Sequence, residues 1–253
     1  MTWVWSATFL PFTIGSVTSE LAGYEAGKLA VYDEHSYIRS WRSNNQVSQQ
    51  TIRCTFAAAV NLQGVALFNL NGPMVQLSKS VNNGSTWTDL TSGSATLANR
   101  TAEKYLAYYR YFTSVSAAGV TDCQVIVQAQ TPIGGTPYLE VGSVVFLGAV
   151  TNFPRPPRLG MQERLVRPYD QSGLRKRAAG PWRSEMEWQM LLRNQLHWDV
   201  WRQIALLGED QLFLVAKSHV TTPMVYLMSY DGSMQFEDQK LYQRVAPRWV
   251  EQA

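Results

Sequence analysis

Charged side chains are scarce in this 253-residue sequence, where 22 Lys and Arg and 19 Asp and Glu make up 16% of the chain. An ordinary globular domain has about 25%. Nine Trp and twelve Tyr accompany a hydrophobic fraction of 45%, which excludes a disordered chain and a Glu- and Lys-rich coiled coil. Interface cores are poor in charge and rich in Tyr and Trp. The composition therefore favours assembly with a partner.

Long apolar runs and a leader segment are also missing. No run reaches the roughly 18 residues of a membrane helix, and the best candidate, residues 139–150, is interrupted by Glu140 and two glycines. Residues 1–15 show no basic segment followed by an apolar one. We therefore expect no secretory signal, no membrane insertion and folding in a cytosol.

Cysteine is nearly absent, since Cys54 and Cys123 are the only two in the sequence. Cytosolic proteins rarely keep disulfides, so we expect both to be reduced core residues. A disulfide between them is the alternative.

The sequence has no recognisable catalytic motif. His35, His197 and His219 are not spaced as metal ligands, and no cluster of Cys or carboxylates accompanies them. Asp33 and Glu34 could be a carboxylate pair for glycoside chemistry, but adjacent residues on a strand point to opposite faces. A nucleophile elbow, a phosphate-binding loop and a dinucleotide fingerprint are absent. We expect no catalytic residues, no metal and no cofactor, and the sequence does not predict an enzyme.

The net positive charge is concentrated in one part of the chain. Residues 1–150 contain eight basic and eight acidic residues, whereas residues 151–183 have a net charge of +6. Prolines and glycines predict a long loop or hairpin there, and Arg is favoured at protein interfaces. A protein contact is the first interpretation, with a solvated loop and a nucleic-acid or other anion contact as alternatives. The basic residues of 151–183 are Arg155, Arg158, Arg164, Arg167, Arg175, Lys176, Arg177 and Arg183.

Period-two alternation predicts β-strands throughout residues 1–150. Apolar Ile52, Cys54 and Phe56 alternate with more polar neighbours, and residues 123–129 repeat the pattern. Short strands separated by turn signals, without an amphipathic helix, predict an antiparallel β-sandwich. Further strand candidates are 65–70, 75–80, 105–112 and 144–147.

A different pattern begins after a Pro-rich segment. Residues 151–159 hold three prolines in four positions and are expected to form an extended linker between domains 1–150 and 160–253. The second domain is predicted to contain strands and one helix. In order, these are a strand over 182–192, a helix over about 195–207 before Gly208, a strand over 212–216, a hairpin around Asp231-Gly232 and a strand over 241–250.

Aromatic and amide side chains in residues 1–150 could form a sugar-binding surface. Rings would stack on a sugar, and amides would bond to its hydroxyl groups. The alternative is that the aromatic side chains pack in the core and the amides belong to a turn. Residue type alone favours this alternative. The residues concerned are Trp41, Trp87, Tyr108, Tyr109, Asn69 and Asn71.

Four short motifs, taken in order, resemble those of discoidin or galactose-binding-like jelly rolls. That family shows a Trp-Arg-Ser after a loop, a strand ending near Asn, a Ser-x-Asp-Gly-x-x-Trp hairpin and a closing Leu-x-x-Gly strand. Asn83 takes the place of the Asp in the hairpin. The matching segments are 41–43, 65–71, 80–87 and 138–142. The resemblance implies a jelly-roll sandwich for residues 1–150.

Residues 160–253 resemble the tail-tube-like split β-barrel with one α-helix found in distal and minor tail proteins of long-tailed bacteriophages. The matching features are the Ser172-Gly173 loop, the 182–192 strand, the helix and the 212–215 strand. The resemblance implies a virion protein of the tail tip that forms a trimeric or hexameric ring. DNA would only pass through its lumen, and tube and tip proteins would be its neighbours.

Two functional hypotheses follow from these resemblances. The first is a structural ring of the tail tip, assembled in the host cytoplasm, whose expected subunit and ring contacts are Arg164, Arg167, Arg175, Lys176, Arg177, Trp182 and Arg183. The second is a carbohydrate-binding module that contacts the host surface. Its candidate glycan contacts are Trp41, Arg42, Asn69, Asn71 and Trp87.

Overall fold

The chain divides into two units that are each built mainly from antiparallel strands. One unit comprises Met1–Asn152 with Val215–Val225, and the other comprises Phe153–Leu214 with Tyr226–Ala253. The computed structural model describes residues 3–30, 40–97, 109–152, 158–166, 178–187, 190–192, 199, 203, 213–217, 224–239 and 242–251. Among these residues, no helix has the length and apolarity required to span a bilayer.

The first unit contains short strands around two very long ones. In chain order its strands are β1 (Trp3–Ser6), β2 (Thr13–Val17), β3 (Trp41–Arg42), β4 (Gln50–Leu70), β5 (Met74–Ser80), β6 (Thr88–Asp89), β7 (Ala95–Thr96), β8 (Tyr109–Val127), β9 (Glu140–Val141), β10 (Ser143–Leu147) and β11 (Thr151–Asn152). Two 3₁₀ helices, Ala26–Ala30 and Ile133–Gly135, lie between strands.

Strands β4 and β8 pair with each other along most of their length. The first part of β4 pairs Gln50 with Val127 and Thr55 with Asp122, while β5 lies on the other side of the same part of β8. The last part of β4 pairs with the start of β8 and with β10. Three register shifts separate these parts. Bulges bend a strand and let it turn a sandwich corner, so one ribbon contributes to both layers.

The predicted alternation is confirmed on β4 over residues 51–56 and on β8 as far as Val127, where the strand ends, whereas Ala129 lies beyond the strand and is exposed. Ile52, Cys54 and Phe56 are buried, and so are Cys123 and Val125, opposite them on β8. These side chains join one core cluster in the first unit. The sandwich expected for residues 1–150 is therefore present, and Cys54 and Cys123 are free core residues as expected.

Two edge-to-face aromatic contacts lie in the core of the first unit. Phe146 on β10 is fully buried, and its ring centroid lies 5.1 Å from that of Phe12 and 5.2 Å from that of Phe56. Such perpendicular pairs add to the gain from burying apolar area. The contact ties β10 to β4.

The second unit contains β12 (Arg158–Val166), β13 (Ala178–Glu187), β14 (Met190–Leu192), most of β16 (Met224–Gln239) and β17 (Tyr242–Glu251), while β15 (Phe213–Lys217) straddles the division between the units. β17 pairs with β16, β13 and β14, and β13 also pairs with β12. The antiparallel β12–β13 pair makes the basic stretch a hairpin, whose connection 167–177 lies outside the described residues.

The structure corrects one prediction for the second half and describes two others only in part. The expected linker 151–159 is shorter, because β11 already includes 151–152 and β12 begins at Arg158. Its residues 153–157 lie outside the described part. Of the helix expected over 195–207, only Asp199 and Gln203 are described, and both are helical and exposed. Strands β13 and β14 cover the strand predicted over 182–192, apart from residues 188–189, which lie outside the described residues.

The hairpin predicted at Asp231-Gly232 is wrong, because β16 runs through both residues as one strand of 16 residues. β17 pairs with β16 on both sides of this point, and the register shifts between Tyr230 and Met234. Met234 lies opposite Pro247, which has no N–H to donate to the ladder. The Asp-Gly pair therefore occupies an irregularity within a strand rather than a reversal.

Gly142, between β9 and β10, is expected to be intolerant of any side chain. A Cβ there would lie 2.6 Å from the Asn69 Cβ, and the Gly142 N–H donates to the Phe68 carbonyl at 2.9 Å. We expect Gly142→Ala to lower the free energy of unfolding by about 1–3 kcal/mol, the usual cost of overpacking. Denaturant titration would measure the change. Gly27→Ala is the control, because nothing lies within 4 Å of a Cβ at that position. Equal stability of the two variants would contradict the expected clash.

Candidate functional site

A planar cation lies between two aromatic rings where β3 pairs with β9. Arg42 on β3 is the register partner of Glu140 on β9. The Arg42 Cζ lies 3.9 Å from the centroid of the Tyr24 ring and 4.6 Å from that of the Tyr138 ring. Arg42 Nη2 donates to Glu140 Oε1 at 3.2 Å. We refer to Tyr24, Arg42, Tyr138 and Glu140 as the aromatic–arginine cluster.

The cluster combines an exposed side with a buried anchor. The Glu140 side chain is buried, whereas 22% of the Arg42 side chain is exposed and both tyrosines are half-buried. Guanidinium groups stack on aromatic faces and donate hydrogen bonds within their own plane. Stacking and the bond to Glu140 thus hold the guanidinium, while 22% of the Arg42 side chain as a whole is exposed.

Asn71 holds β9 and the segment before it in place. Its Oδ1 accepts the Glu140 N–H at 2.8 Å, and its Nδ2 donates to the Tyr138 carbonyl at 2.9 Å and to Thr136 Oγ1 at 3.1 Å. Ser40 Oγ donates to Glu140 Oε1. The amide of Asn71 therefore positions both Tyr138 and the carboxylate that binds Arg42.

Electrostatics keep Arg42 charged in this setting. Burial alone would lower the pKa of the guanidinium, but the charge and hydrogen bond of Glu140, together with Tyr138 and Tyr24, raise the pKa of Arg42 above its ordinary value. A pair of opposite charges that is partly desolvated is stable only with such added contacts. The cluster is electrically balanced and offers hydrogen-bond donors beside two rings.

Exposed apolar side chains occur in the loops that flank the cluster. Leu21 is 38% exposed, and its N–H donates to the Arg42 carbonyl at 2.7 Å. Val47 is 81% exposed in the loop that follows β3. Binding surfaces typically combine apolar side chains with a few fixed polar groups, and this end of the sandwich has both.

Three of the five predicted glycan contacts are buried or half-buried within the fold. Trp41 is fully buried, and its Nε1 donates to the Ser19 carbonyl at 3.1 Å. Asn71 is buried in the bonds described above. Asn69 adopts a positive φ of 54° beside Gly142. Trp41 and Asn71 present no surface to a ligand, and they support the cluster from behind.

Trp87 lies at a second cluster, on the β5–β6 hairpin. Arg53 Cζ is 5.9 Å from the centroid of the Trp87 ring, and Arg53 Nη2 donates to the Asn83 carbonyl at 2.9 Å. Asp122 Oδ1 accepts bonds from Arg53 Nε at 2.9 Å and Thr55 Oγ1 at 2.8 Å. These bonds secure the turn that the sequence predicted at Asn83-Gly84. Arg53 is therefore engaged in structure, and Trp87 remains half-buried.

The sequence patterns did not identify three of the four residues of the aromatic–arginine cluster as binding residues. Arg42 was among the candidates, but Tyr24 and Glu140 carried no signal as binding residues. Tyr138 and Glu140 stood only within the motif 138–142, and Tyr24 had no motif at all. The β3–β9 register is what brings them together. Tyr108, part of the expected aromatic surface, lies outside the described residues, and Tyr109 is buried.

The predicted ring contacts are described only in part. Arg164 is in β12, and Trp182 and Arg183 are in β13, where they pair with Glu163 and Gln162. Arg167, Arg175, Lys176 and Arg177 lie outside the described residues. Within the described part of the chain, no group of three or more His, Cys, Asp or Glu side chains could hold a metal ion.

Comparison with known proteins gives only distant structural likenesses. No protein-family model and no curated protein matches the chain. One similar structure is a CBM32 module of a family 31 glycoside hydrolase from Clostridium perfringens, with 19% identity over 55% of this chain and 92% of that one, at a TM-score of 0.43.

Two further structures show the same degree of likeness. Chitosan-binding module 2 of a chitosanase/glucanase from Paenibacillus sp. IK-5, in complex with chitotriose, is 18% identical over 55% of this chain and 98% of that one, at a TM-score of 0.41. The N-terminal domain of the single-strand break repair protein XRCC1 is 11% identical over 56% of this chain and 99% of that one, at a TM-score of 0.44. One fold can host unrelated functions, so the site itself must indicate the ligand.

The ion pair between Arg53 and the buried carboxylate of Asp122 predicts a pH-dependent contribution to stability. Burial tends to raise the pKa of Asp122, but bonds from Thr55, Arg53 and Thr121 and the charge of Arg53 bring it below its ordinary value. A lowered folded-state pKa stabilises the fold above the unfolded pKa, about 3.9, and this stabilisation is lost as the pH falls. We expect Asp122→Asn to cost about 2 kcal/mol at pH 7, with a difference that shrinks below about pH 4.

Urea unfolding of both proteins from pH 7 to pH 3 would measure this difference. Asp89→Asn is the control, because Asp89 is an exposed carboxylate on β6. A loss for Asp122→Asn that stays constant down to pH 3 would show that the charge of Asp122 is not what stabilises the fold.

Proposed function

We propose that this chain is a binding protein that recognises a sugar through the aromatic–arginine cluster. The observation that carries the proposal is the 22%-exposed Arg42 side chain, whose guanidinium lies over the rings of Tyr24 and Tyr138. The role is binding without turnover, in line with the lack of a paired acid and base in the sequence.

The geometry suits a ligand that has both hydroxyl groups and an apolar face. The exposed parts of the two tyrosine rings offer apolar contact and a phenolic hydroxyl. The guanidinium donates several hydrogen bonds in a fixed plane, which matches adjacent hydroxyls on a sugar ring. Because Glu140 and Asn71 fix the group before the ligand arrives, little conformational freedom is lost on binding.

Charge near the cluster favours neutral sugars over acidic ones. Arg42 is paired with Glu140, and Lys28, 6.0 Å from the Tyr24 ring centroid, is paired with Glu25 at 3.1 Å. Hydrogen bonds from its own backbone N–H and from Gly23, with Lys28, lower the pKa of Glu25 to about 2. Glu25 therefore keeps its charge at any pH of interest. Both cations that the structure describes at the cluster are thus paired with carboxylates, and we propose a neutral oligosaccharide as the ligand.

Substitutions in the cluster should weaken sugar binding without unfolding the chain. We expect Tyr138→Ala and Arg42→Lys each to reduce the affinity of the full chain at least about tenfold, about 1.4 kcal/mol. Lys cannot reproduce the stacked planar donor, and Ala removes one ring. A glycan array would first identify neutral ligands, and isothermal titration calorimetry would measure the variants.

Trp87→Ala is the matched control, because Trp87 is a half-buried ring beside Arg53, which is the same pairing on a different part of the sandwich. Its affinity should equal that of the unmodified chain. Binding lost in Trp87→Ala but retained in Tyr138→Ala would move the site to the β5–β6 hairpin. Tighter binding of acidic glycans would refute the neutral ligand class, and no binding to any glycan would refute the function.

A second proposal, compatible with the first, is the tail-tip ring implied by the split-barrel resemblance. The observation that favours it is the antiparallel β12–β13 pair, in which Val166 and Ala178, on either side of the basic segment 167–177, are register partners. Its connection contains Arg175, Lys176 and Arg177, which would bind carboxylates on a neighbouring ring. The same protein could then form a trimeric or hexameric ring and expose its sandwich to a host glycan.

Electron microscopy and mass measurement of the purified protein test this second proposal. We expect a closed ring of three or six copies, and deletion of residues 172–177, which leaves β13 complete, should abolish stacking between rings while each subunit stays folded. The intact sandwich can be checked through sugar binding. A monodisperse monomer that never assembles would exclude the ring, whatever the sandwich binds.

A further inference from the structure

Cys54 on β4 and Cys123 on β8 face each other across an antiparallel pair. Both side chains are completely buried, and both belong to the core cluster of the first unit. Their neighbours on the same face, Ile52 and Val125, are also directly opposite. The two thiols therefore lie on the same side of the ribbon, although 68 residues separate them in the chain.

Directly opposed positions on antiparallel strands meet the distance requirement of a disulfide. Their Cα atoms are about 4.5 or 5.5 Å apart, according to the type of pair. Disulfides span Cα separations of about 4.4–6.8 Å. In the non-hydrogen-bonded type of pair the Cβ atoms also lie close to the separation of about 3.5–4.5 Å that a disulfide requires.

We propose that Cys54 and Cys123 are an oxidative modification site. They form a cross-strand disulfide when the chain folds in the presence of a small-molecule disulfide, and they remain thiols when it folds under reducing conditions. The redox state would then be fixed by the compartment in which the chain folds.

The chemistry is two successive thiol–disulfide exchanges. One cysteine, as thiolate, attacks the small disulfide, forms a mixed disulfide and releases one small thiol. The second cysteine thiolate attacks the protein sulfur of that mixed disulfide, forms the Sγ–Sγ bond and releases the second small thiol. The two protons lost by the cysteines end on the two released thiols, and the small disulfide is reduced as the pair is oxidised.

Burial explains why the state is set during folding. The attacking species is the thiolate. Burial raises the pKa of Cys54 well above its ordinary value, and burial and the Asp122 charge, against a smaller opposing effect of Lys79, raise that of Cys123 to about 12. Completely buried, protonated thiols exchange slowly, so the native protein keeps whichever state it acquired on folding.

Oxidative refolding tests the inference. The full chain is unfolded in guanidinium under reduction, refolded in a mixture of oxidised and reduced glutathione, alkylated in denaturant and weighed by mass spectrometry. We expect a monomer with neither cysteine alkylated and a midpoint of thermal unfolding about 5–10 °C higher than in the reduced form. Two alkylated cysteines, or a disulfide-linked dimer, would overturn the proposal.

A second arm tests the protection by burial. The chain refolded under reduction and then placed in the same glutathione mixture should keep both thiols many times longer than the refolding sample takes to oxidise. Equally fast oxidation would overturn the claim that folding fixes the state.

Cys54→Ala and Cys123→Ala each leave a single thiol and should abolish the rise in the unfolding midpoint. If either variant fails to fold, the mass measurement on the unmodified chain still decides the question. The result does not depend on whether the chain binds a sugar.

Discussion

The pairing of β4 with β8 is the constraint on which the rest of the first unit depends. These strands have 21 and 19 residues, and their partners include β2, β5 and β10. Bulges near residues 56–62 and Gly119, whose φ is 67°, bend the ribbon, so that one pair of strands serves both layers. Cores such as that around Phe146 can form only because the two halves of the ribbon face each other.

The same ribbon creates the place where the aromatic–arginine cluster forms. Asn71 directly follows the end of β4, and its amide bonds to the backbone of Tyr138 and Glu140. The buried carboxylate then binds Arg42, which stacks between the rings. A short polar side chain at the end of a long strand thus connects the core to a surface with ligand-binding chemistry. Buried polar groups with all their bonds satisfied commonly specify one arrangement in this way.

Local patterns predicted the strands well where one face is buried and the other is solvated. Residues 51–56 alternate because one face of β4 packs on the core, and the Asn83-Gly84 turn followed from two residues that tolerate positive φ. The Asp231-Gly232 hairpin failed because the same dipeptide also fits an irregularity within a strand. Dipeptide preference alone does not distinguish a chain reversal from a bulge, since the partner strand decides.

The amino-acid sequence by itself determined the β character of the chain, the division into a neutral and a basic half, and the core position of both cysteines, because these depend on composition and on period-two spacing. Only the tertiary structure decided which rings meet Arg42. Tyr24 and Tyr138 are 114 residues apart, and no local pattern relates them. They meet because the β3–β9 register and the Asn71 amide place them on either side of one guanidinium.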